Sequence, residues 1–176
     1  MLQLSNTLIN QQVLSLRTGG QVAGGTEPIM NPNNLKIEGF HCVDRFSGDQ
    51  LILLSQDIRD HIKQGFVVND HEVLAEPSEL IRLQEVLNLQ FALIGKPVYT
   101  DNKKRLGKVI DYAVDDVSLY VQKLYVGQSL IKSFAGGQLS VDRNQIVEIT
   151  DRKVVIKDPL KGVKDTSPAI VPSPAA

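Results

Sequence analysis

The chain is poor in the residues that build several kinds of site. It has one cysteine, no tryptophan and two methionines in 176 residues. A lone thiol, Cys42, supports neither an intramolecular disulfide nor a Cys-based zinc centre. Aromatics make up 5% of the chain, too few for a stacking platform on single-stranded nucleic acid. Long apolar runs are also missing: the richest stretch, Leu80 to Ile94, is broken by Arg82, Gln84, Glu85, Asn88 and Gln90. A bilayer span needs roughly 20 mostly apolar residues, so no membrane insertion is expected. The opening Met1-Leu2-Gln3-Leu4-Ser5-Asn6 has neither a basic nor a continuous apolar region, so it does not read as a signal peptide. A cytoplasmic location is therefore expected.

What is present is ordinary for a globular protein: 42% hydrophobic, 22% charged, with a net charge of -1. The length suits one domain or two small ones. The near-neutral total hides an asymmetry. Residues 1–90 hold 6 Lys and Arg against 11 Asp and Glu, while residues 91–176 hold 13 against 9. An anionic partner for the basic half would account for this, and so would two units that attract each other, which is the simpler reading.

Self-similarity organises the chain. Leu8-Ile9-Asn10-Gln11-Gln12-Val13 returns as Leu93-Ile94-Gly95-Lys96-Pro97-Val98, and Leu54-Ser55-Gln56-Asp57 returns as Leu139-Ser140-Val141-Asp142, both 85 positions on. Gly20-Gln21-Val22 matches Gly107-Lys108-Val109 at 87. These spacings define two homologous units, residues 7–75 and 92–160, separated by a connecting helix over 76–91 and followed by a Pro-rich tail over 161–176.

In the second unit, Pro97 to Thr100 starts a strand and Asp101-Asn102-Lys103-Lys104 turns it. Gly107 to Val114 alternates, with Val109 expected on one face and Ile110 and Tyr112 on the other. Asp115-Asp116 makes the next turn, and Leu119 to Val126 is a β-rich run. Gln128 to Phe134 fits a helical turn closed by Gly136-Gly137. Ile146 to Ile149 and Val154 to Ile156 form a hairpin around Thr150-Asp151-Arg152-Lys153. The first unit repeats the plan: Asn31-Pro32-Asn33-Asn34 turns, Leu35 to Val43 and Gln50 to Leu54 are strands, and Phe46 to Asp49 is a turn. Asp57 to Ile62 reads as a short helix and Phe66-Val67-Val68 as the start of a closing hairpin. Glu76-Pro77-Ser78-Glu79 opens the connecting helix, whose Leu80, Ile81, Leu83 and Leu87 form one apolar stripe for packing on a barrel. The tail, with three prolines and no hydrophobic period, is expected to be disordered.

Four segments of the second unit, Leu93-Ile94-Gly95-Lys96-Pro97-Val98, Arg105-Leu106-Gly107-Lys108-Val109-Ile110-Asp111, Lys123-Leu124-Tyr125-Val126 and Ser140-Val141-Asp142-Arg143, resemble the PRC-barrel domain family. The first unit matches less closely, having Ala23-Gly24-Gly25 where the second has Ile110-Asp111-Tyr112. The resemblance implies a mainly β chain of two small tandem barrels. It also implies docking surfaces, as in a photosynthetic reaction-centre subunit and a ribosome maturation factor, and carries over no catalytic residues.

Candidate chemistry is sparse. Cys42 beside His41 suggests a thiolate–imidazole pair, but neighbours on a strand point to opposite faces, so a small buried thiol is the better reading. His41, His61 and His71 lack ligand spacing among themselves. Asp57-x-x-Asp60-His61 has it only if the segment is helical. Gly19 to Thr26 lacks the lysine of a phosphate loop, and turn or bulge roles for its glycines fit better. Asp115-Asp116 reads as a solvated turn. The compact basic cluster Lys103-Lys104-Arg105, with Lys96 and Lys108 nearby, is the candidate contact for an anionic partner. No metal, cofactor or catalytic residue is assigned. The expected function is a non-enzymatic docking or scaffold protein with protein partners. The alternative is an RNA- or ribosome-associated factor using the basic second barrel, and a membrane-protein complex is a third option.

Overall fold

The computed structural model describes residues 1–127 and 137–159. The chain is mainly β and folds into two sheets. The first is built from β2 (Gln12–Ser15), β3 (Gln21–Asn31), β4 (Lys36–Asp44), β5 (Gln50–Leu54), β6 (Ile58–Ile62) and β7 (Gly65–Val68). The second contains β8 (Pro97–Thr100), β9 (Arg105–Asp115), β10 (Val121–Gly127), β11 (Gln138–Asp142), β12 (Ile146–Ile149) and β13 (Val154–Ile156), joined by β1 (Leu2–Leu4). The strand orders are β5-β4-β3-β2-β7-β6 and β11-β10-β9-β8-β13-β12, one pattern used twice. In both, the first and last strands of the unit pair in parallel (β2 with β7, β8 with β13) while every other pair is antiparallel. A duplicated sequence thus folds into a duplicated topology.

Neither sheet closes into the expected barrel. The outer edge of β5 is taken by Ala75, which exchanges backbone hydrogen bonds with Ile52 at 2.8 and 3.0 Å. β6 instead leaves β5 through a 3-10 turn, Ser55–Asp57, so the two edges of the sheet do not meet. The helix expected over Asp57–Ile62 is this turn followed by β6.

The connecting segment also departs from expectation. Residues 76–91 form two 3-10 turns, Pro77–Glu79 and Ile81–Leu83, and then the six-residue α1 (Gln84–Leu89). The break lies at Leu80, whose φ of -91° and ψ of 68° are not helical. The apolar stripe survives in altered form. Leu83, Leu80 and Leu87 pack against Ile29, Ile52 and Leu54, whereas Ile81 turns outward and is 81% exposed. The helical turn expected at Gln128–Phe134 and the tail 161–176 lie outside the described residues.

Structure also refines the register of the repeat. Val13 and Val98 hold equivalent rungs, and Asn10 and Gly95 before them both have positive φ, 56° and 89°. By the same rungs, however, the partner equivalent to Gly107 is Ala23 rather than Gly20. The 3-10 turn Ser55–Asp57 corresponds to Arg143–Gln145, 88 positions on, because the connection between β10 and β11 is longer than its counterpart. Val109 and Tyr112, expected on opposite faces, are both buried. A bulge against Tyr125 and Val126 turns Ile110 outward and returns Tyr112 to the inner face.

The two units meet at equivalent residues. Leu35 and Leu119 stand 84 positions apart, each in the left-handed region (φ 54° and 56°) and each buried. Ile37 N donates to Leu119 O and Val121 N donates to Leu35 O, both at 2.9 Å, with Lys36 bridged to Tyr120 between them. Residues related by the repeat therefore pair with one another, which is the signature of an approximate two-fold axis through Lys36 and Tyr120. The lead-in segments are exchanged across this axis. β1, which precedes the first unit, pairs with β9 of the second, while α1, which precedes the second, packs on β3 of the first. One apolar cluster runs through both units, from Leu8, Phe40 and Phe66 to Val98, Leu124 and Ile156.

Candidate functional site

The basic cluster is organised by the turn between β8 and β9. Thr100 clasps it: Thr100 N donates to Lys104 O at 2.8 Å and Thr100 Oγ1 accepts from Lys104 N at 3.1 Å. Lys103 sits in the left-handed region (φ 65°) at its tip. A bulge then separates the rungs Val98–Gly107 and Tyr99–Arg105. Pro97 and Tyr99 lie on one face of β8, so their partners Lys108 and Arg105 share that outer face, while Leu106 and Val109 point inward. Lys103, Lys104, Arg105 and Lys108 are all exposed and form a basic ridge. Lys96 is not part of it. It is half-buried, its Nζ donates to Asp151 O, and the ammonium lies 4.6 Å from the centroid of the Phe91 ring.

The other candidates are dispersed. Cys42 is buried, its Sγ 3.5 Å from Leu51 O, and burial pushes its thiol up to about 11, well away from a reactive thiolate. His41 lies half-buried on the same strand. His61 stacks on Phe66 with ring centroids 4.5 Å apart and lies on β6, so it does not share a helical face with Asp57. Among the described residues, no group of three or more His, Cys, Asp or Glu is placed to hold a metal ion. Gly19 and Gly25 have positive φ, 69° and 66°, the second within the irregular pairing between Gly24 and Glu27. They serve a turn and a bulge, as expected. Asp115 accepts from the Ser118 amide and hydroxyl at 2.8 and 2.7 Å, and Asp116 holds the Met1 amino group at 2.8 Å.

One polar pair escaped the sequence reading. His71 Nε2 lies 2.7 Å from Asp44 Oδ1, while Asp44 Oδ2 accepts from the Ser47 amide and hydroxyl at 3.0 and 2.8 Å. Asp44 is buried, which pushes its carboxyl up, but the Ser47 donors and the His71 ring outweigh this and bring it down to about 2. The pair ties the end of β4 to the 3-10 turn after β7. Its partners are 27 residues apart, so no local motif announces it. A carboxylate held below its ordinary value of about 4 stabilises the fold above that value and loses the contribution as pH falls toward 2. The stability difference between wild type and Asp44→Asn should therefore be constant from neutral pH down to about 5 and shrink below it. Urea midpoints measured across that range check this, and a difference independent of pH would show that Asp44 does not carry the acid limb.

Four of the concavities form two equivalent pairs, while a fifth, about 320 Å³ between β3 and α1 and lined by Met30, His41 and Phe91, stands alone. A groove of about 620 Å³ between β4 and the connecting segment is lined by Lys36, Glu38, Leu54, Leu80 and Val86. Its counterpart across the two-fold, about 630 Å³, is lined by Leu2, Gln122, Asp142 and Arg143. A second pair lies at the seam. One cleft, about 240 Å³, is bounded by Gln3, Ser55, Ile58, Asp60, His61 and Asp116. Its counterpart, about 320 Å³, is bounded by Asn33, Asn34, Arg143, Ile146 and Glu148. The repeat dictates these positions, but their linings have diverged in charge and size. No helix among the described residues is long and apolar enough to cross a membrane. No protein-family model matches the chain, and no curated protein does either.

Proposed function

We propose that the chain is a non-enzymatic docking protein, two PRC-barrel-like units fused back to back, that binds protein partners in the cytoplasm. The observation that carries this reading is the pairing of the concavities. Two positions are each offered twice with a different lining, which suits a surface that holds two different groups at a fixed distance. A shared apolar core supports it, because a continuous cluster holds the two faces in one orientation. The test is capture from the source cell's lysate with cross-linking, in RNase-treated and untreated halves washed at two salt concentrations. A partner retained under all four conditions and cross-linked at the grooves supports docking. Turnover of a small molecule by the purified chain would contradict it.

The exposed ridge favours a second reading, contact with RNA or a ribosomal particle through Lys103, Lys104, Arg105 and Lys108. Phosphate contacts release counterions, so binding falls as salt rises, with a slope of roughly 0.9 per contact on a duplex and 0.7 on a single strand. Reversing Lys103 and Lys104 to glutamate should weaken RNA binding at least tenfold and reduce that slope by about 2. Filter binding across a salt series reads both quantities. An unchanged slope would remove the ridge from any RNA contact.

A further inference from the structure

The basic ridge stands on positions that the first unit fills with neutral residues. The clasp from Thr100 N to Lys104 O repeats that from Ser15 N to Gly20 O at 2.9 Å, and Lys103 holds the left-handed place of Gly19. The rung Tyr99–Arg105 repeats Leu14–Gln21, as Val98–Gly107 repeats Val13–Ala23. Lys103, Lys104, Arg105 and Lys108 therefore stand, 84 positions on, where the first unit has Gly19, Gly20, Gln21 and Gly24. The same turn and ladder form in the first unit without any of the four cations, so the fold does not require them. Lys103 also occupies a backbone conformation that favours glycine.

Their charge is not used within the chain either. Among the described residues none of the four side chains makes an ion pair, and Asp101 is the one acid between Tyr99 and Ile110. The cation at the corresponding turn of the first unit, Arg17, is by contrast held by Asp70 at 2.7 Å. Tyr99 is free in the same sense. Tyr120 lies beneath Lys36 and Arg143, and Phe91 beneath Lys96. Tyr99 is half-exposed on the outer face, between its rung partners Arg105 and Val155. Among the described residues its ring has no aromatic or cationic partner and its hydroxyl no hydrogen bond. At the equivalent rung the first unit has Leu14.

We infer that the ridge is a site for single-stranded RNA, in which Tyr99 stacks on one unpaired base while Lys103, Lys104, Arg105 and Lys108 meet the phosphates around it. This rests on the RNA reading of the ridge and narrows it. In a duplex the faces of the bases are stacked on one another, so a side-chain ring finds a free face only where the strand is unpaired. The chain has too few aromatics for a platform of several bases, but a single base needs only one ring. Every base offers such a face, so the contact does not depend on sequence.

The test compares three end-labelled probes on the full chain: a mixed-sequence RNA of about 12 nucleotides without self-complementarity, the same strand annealed to its complement, and an abasic strand of equal length that keeps the phosphates and lacks the bases. Fluorescence anisotropy gives each affinity, and a salt series gives the slope. The single strand should bind about fivefold or more tighter than the abasic strand, and tighter than the duplex although the duplex carries the denser charge. Tyr99→Leu sets at this rung the residue that the first unit has there, so folding is not at stake. It should weaken single-strand binding by about five- to a hundredfold and leave the salt slope unchanged, whereas Tyr99→Phe keeps the ring and should bind as wild type. A duplex or abasic strand bound as tightly as the single strand, or unchanged affinity in Tyr99→Leu, would overturn the stacking site and leave the RNA reading of the ridge in place. Equal losses in Tyr99→Leu and Tyr99→Phe would assign the effect to the hydroxyl and overturn it as well. Binding of none of the three probes, or binding untouched by reversal of Lys103 and Lys104, would remove both.

Discussion

Phe66→Ala is expected to destabilise the whole chain by about 3–5 kcal/mol, the range for removing a buried phenylalanine ring. Phe66 is 1% exposed and is packed between Phe40, with ring centroids 4.6 Å apart, and the His61 ring at 4.5 Å. A typical domain has about 5–15 kcal/mol in total, so this one change takes a third or more of it at the middle of that range. The informative part is where the loss is felt. All four tyrosines, Tyr99, Tyr112, Tyr120 and Tyr125, lie in the second unit, and there is no tryptophan. Tyrosine fluorescence therefore reports the second unit while the substitution lies in the first. With a continuous core and a hydrogen-bonded seam, the urea midpoint seen by tyrosine should fall as far as the midpoint seen by far-ultraviolet circular dichroism. A tyrosine transition that stays in place while the dichroism splits would mean that the units unfold separately.

Gly65→Ala should be comparably severe for a different reason. Gly65 opens β7 with φ of 143°, and an added Cβ would lie 2.1 Å from Gln12 O and 2.9 Å from Gln12 N and C. These are backbone atoms of β2, so no side chain can move aside. Relief requires opening the parallel β2–β7 ladder that closes the first unit. Backbone strain of this kind costs about 1–3 kcal/mol, and the lost pairing adds to it, so a total of roughly 3 kcal/mol or more is expected. Gly19→Ala is the matched control. Its φ of 69° is also positive, but nothing lies within 4 Å of the added carbon, so the cost should be about 1–2 kcal/mol. Thermal denaturation of the two variants measures the contrast. Equal losses would show that the close approach to Gln12 is not what requires glycine at position 65.

The elements that the sequence announced are those with a local cause. Asn31-Pro32-Asn33-Asn34 turns as expected because Asn31 and Asn34 accept from the amides of Asn33 and Lys36 at 3.0 and 2.9 Å, bonds available to no hydrophobic residue. The closing hairpin around Asp151 and the burial of Cys42 follow equally from turn chemistry and strand alternation. What stayed hidden depends on distant partners. The parallel pairing of β2 with β7 joins residues 53 positions apart and leaves no trace beyond a glycine. The seam rests on Leu35 and Leu119 in a backbone conformation that leucine rarely adopts, so their identity signals a core position and nothing more. The stripe of Leu80, Leu83 and Leu87 correctly identified a packing face, but could not show that Leu80 breaks the helix. At the basic ridge the sequence brought together five cations, and the structure keeps four. Only the fold shows that the fifth, Lys96, is directed to Asp151 and Phe91. The Asp44–His71 pair and the seam clefts were beyond reach for the same reason, since each is assembled from residues far apart in the chain.

The exchanged lead-ins set an order of events during synthesis. β1 is made before the first unit, yet Leu2 finds its ladder partner in Asp115, 113 residues later. At about 5–20 residues per second, the ribosome takes roughly 6–23 s to produce that partner. For that interval the first sheet can form without its neighbour while β1, with Leu2 and Leu4, waits unpaired. Leu119 must also be made before Leu35 can complete its seam. Contacts between the two units therefore wait until residues 113–121 have been made, while the pairing of β11, β12 and β13 follows within the second unit. Nascent chains stalled before residue 115 should hold a first unit whose lead-in is still open to pairing with β9 of a neighbouring copy on the same messenger.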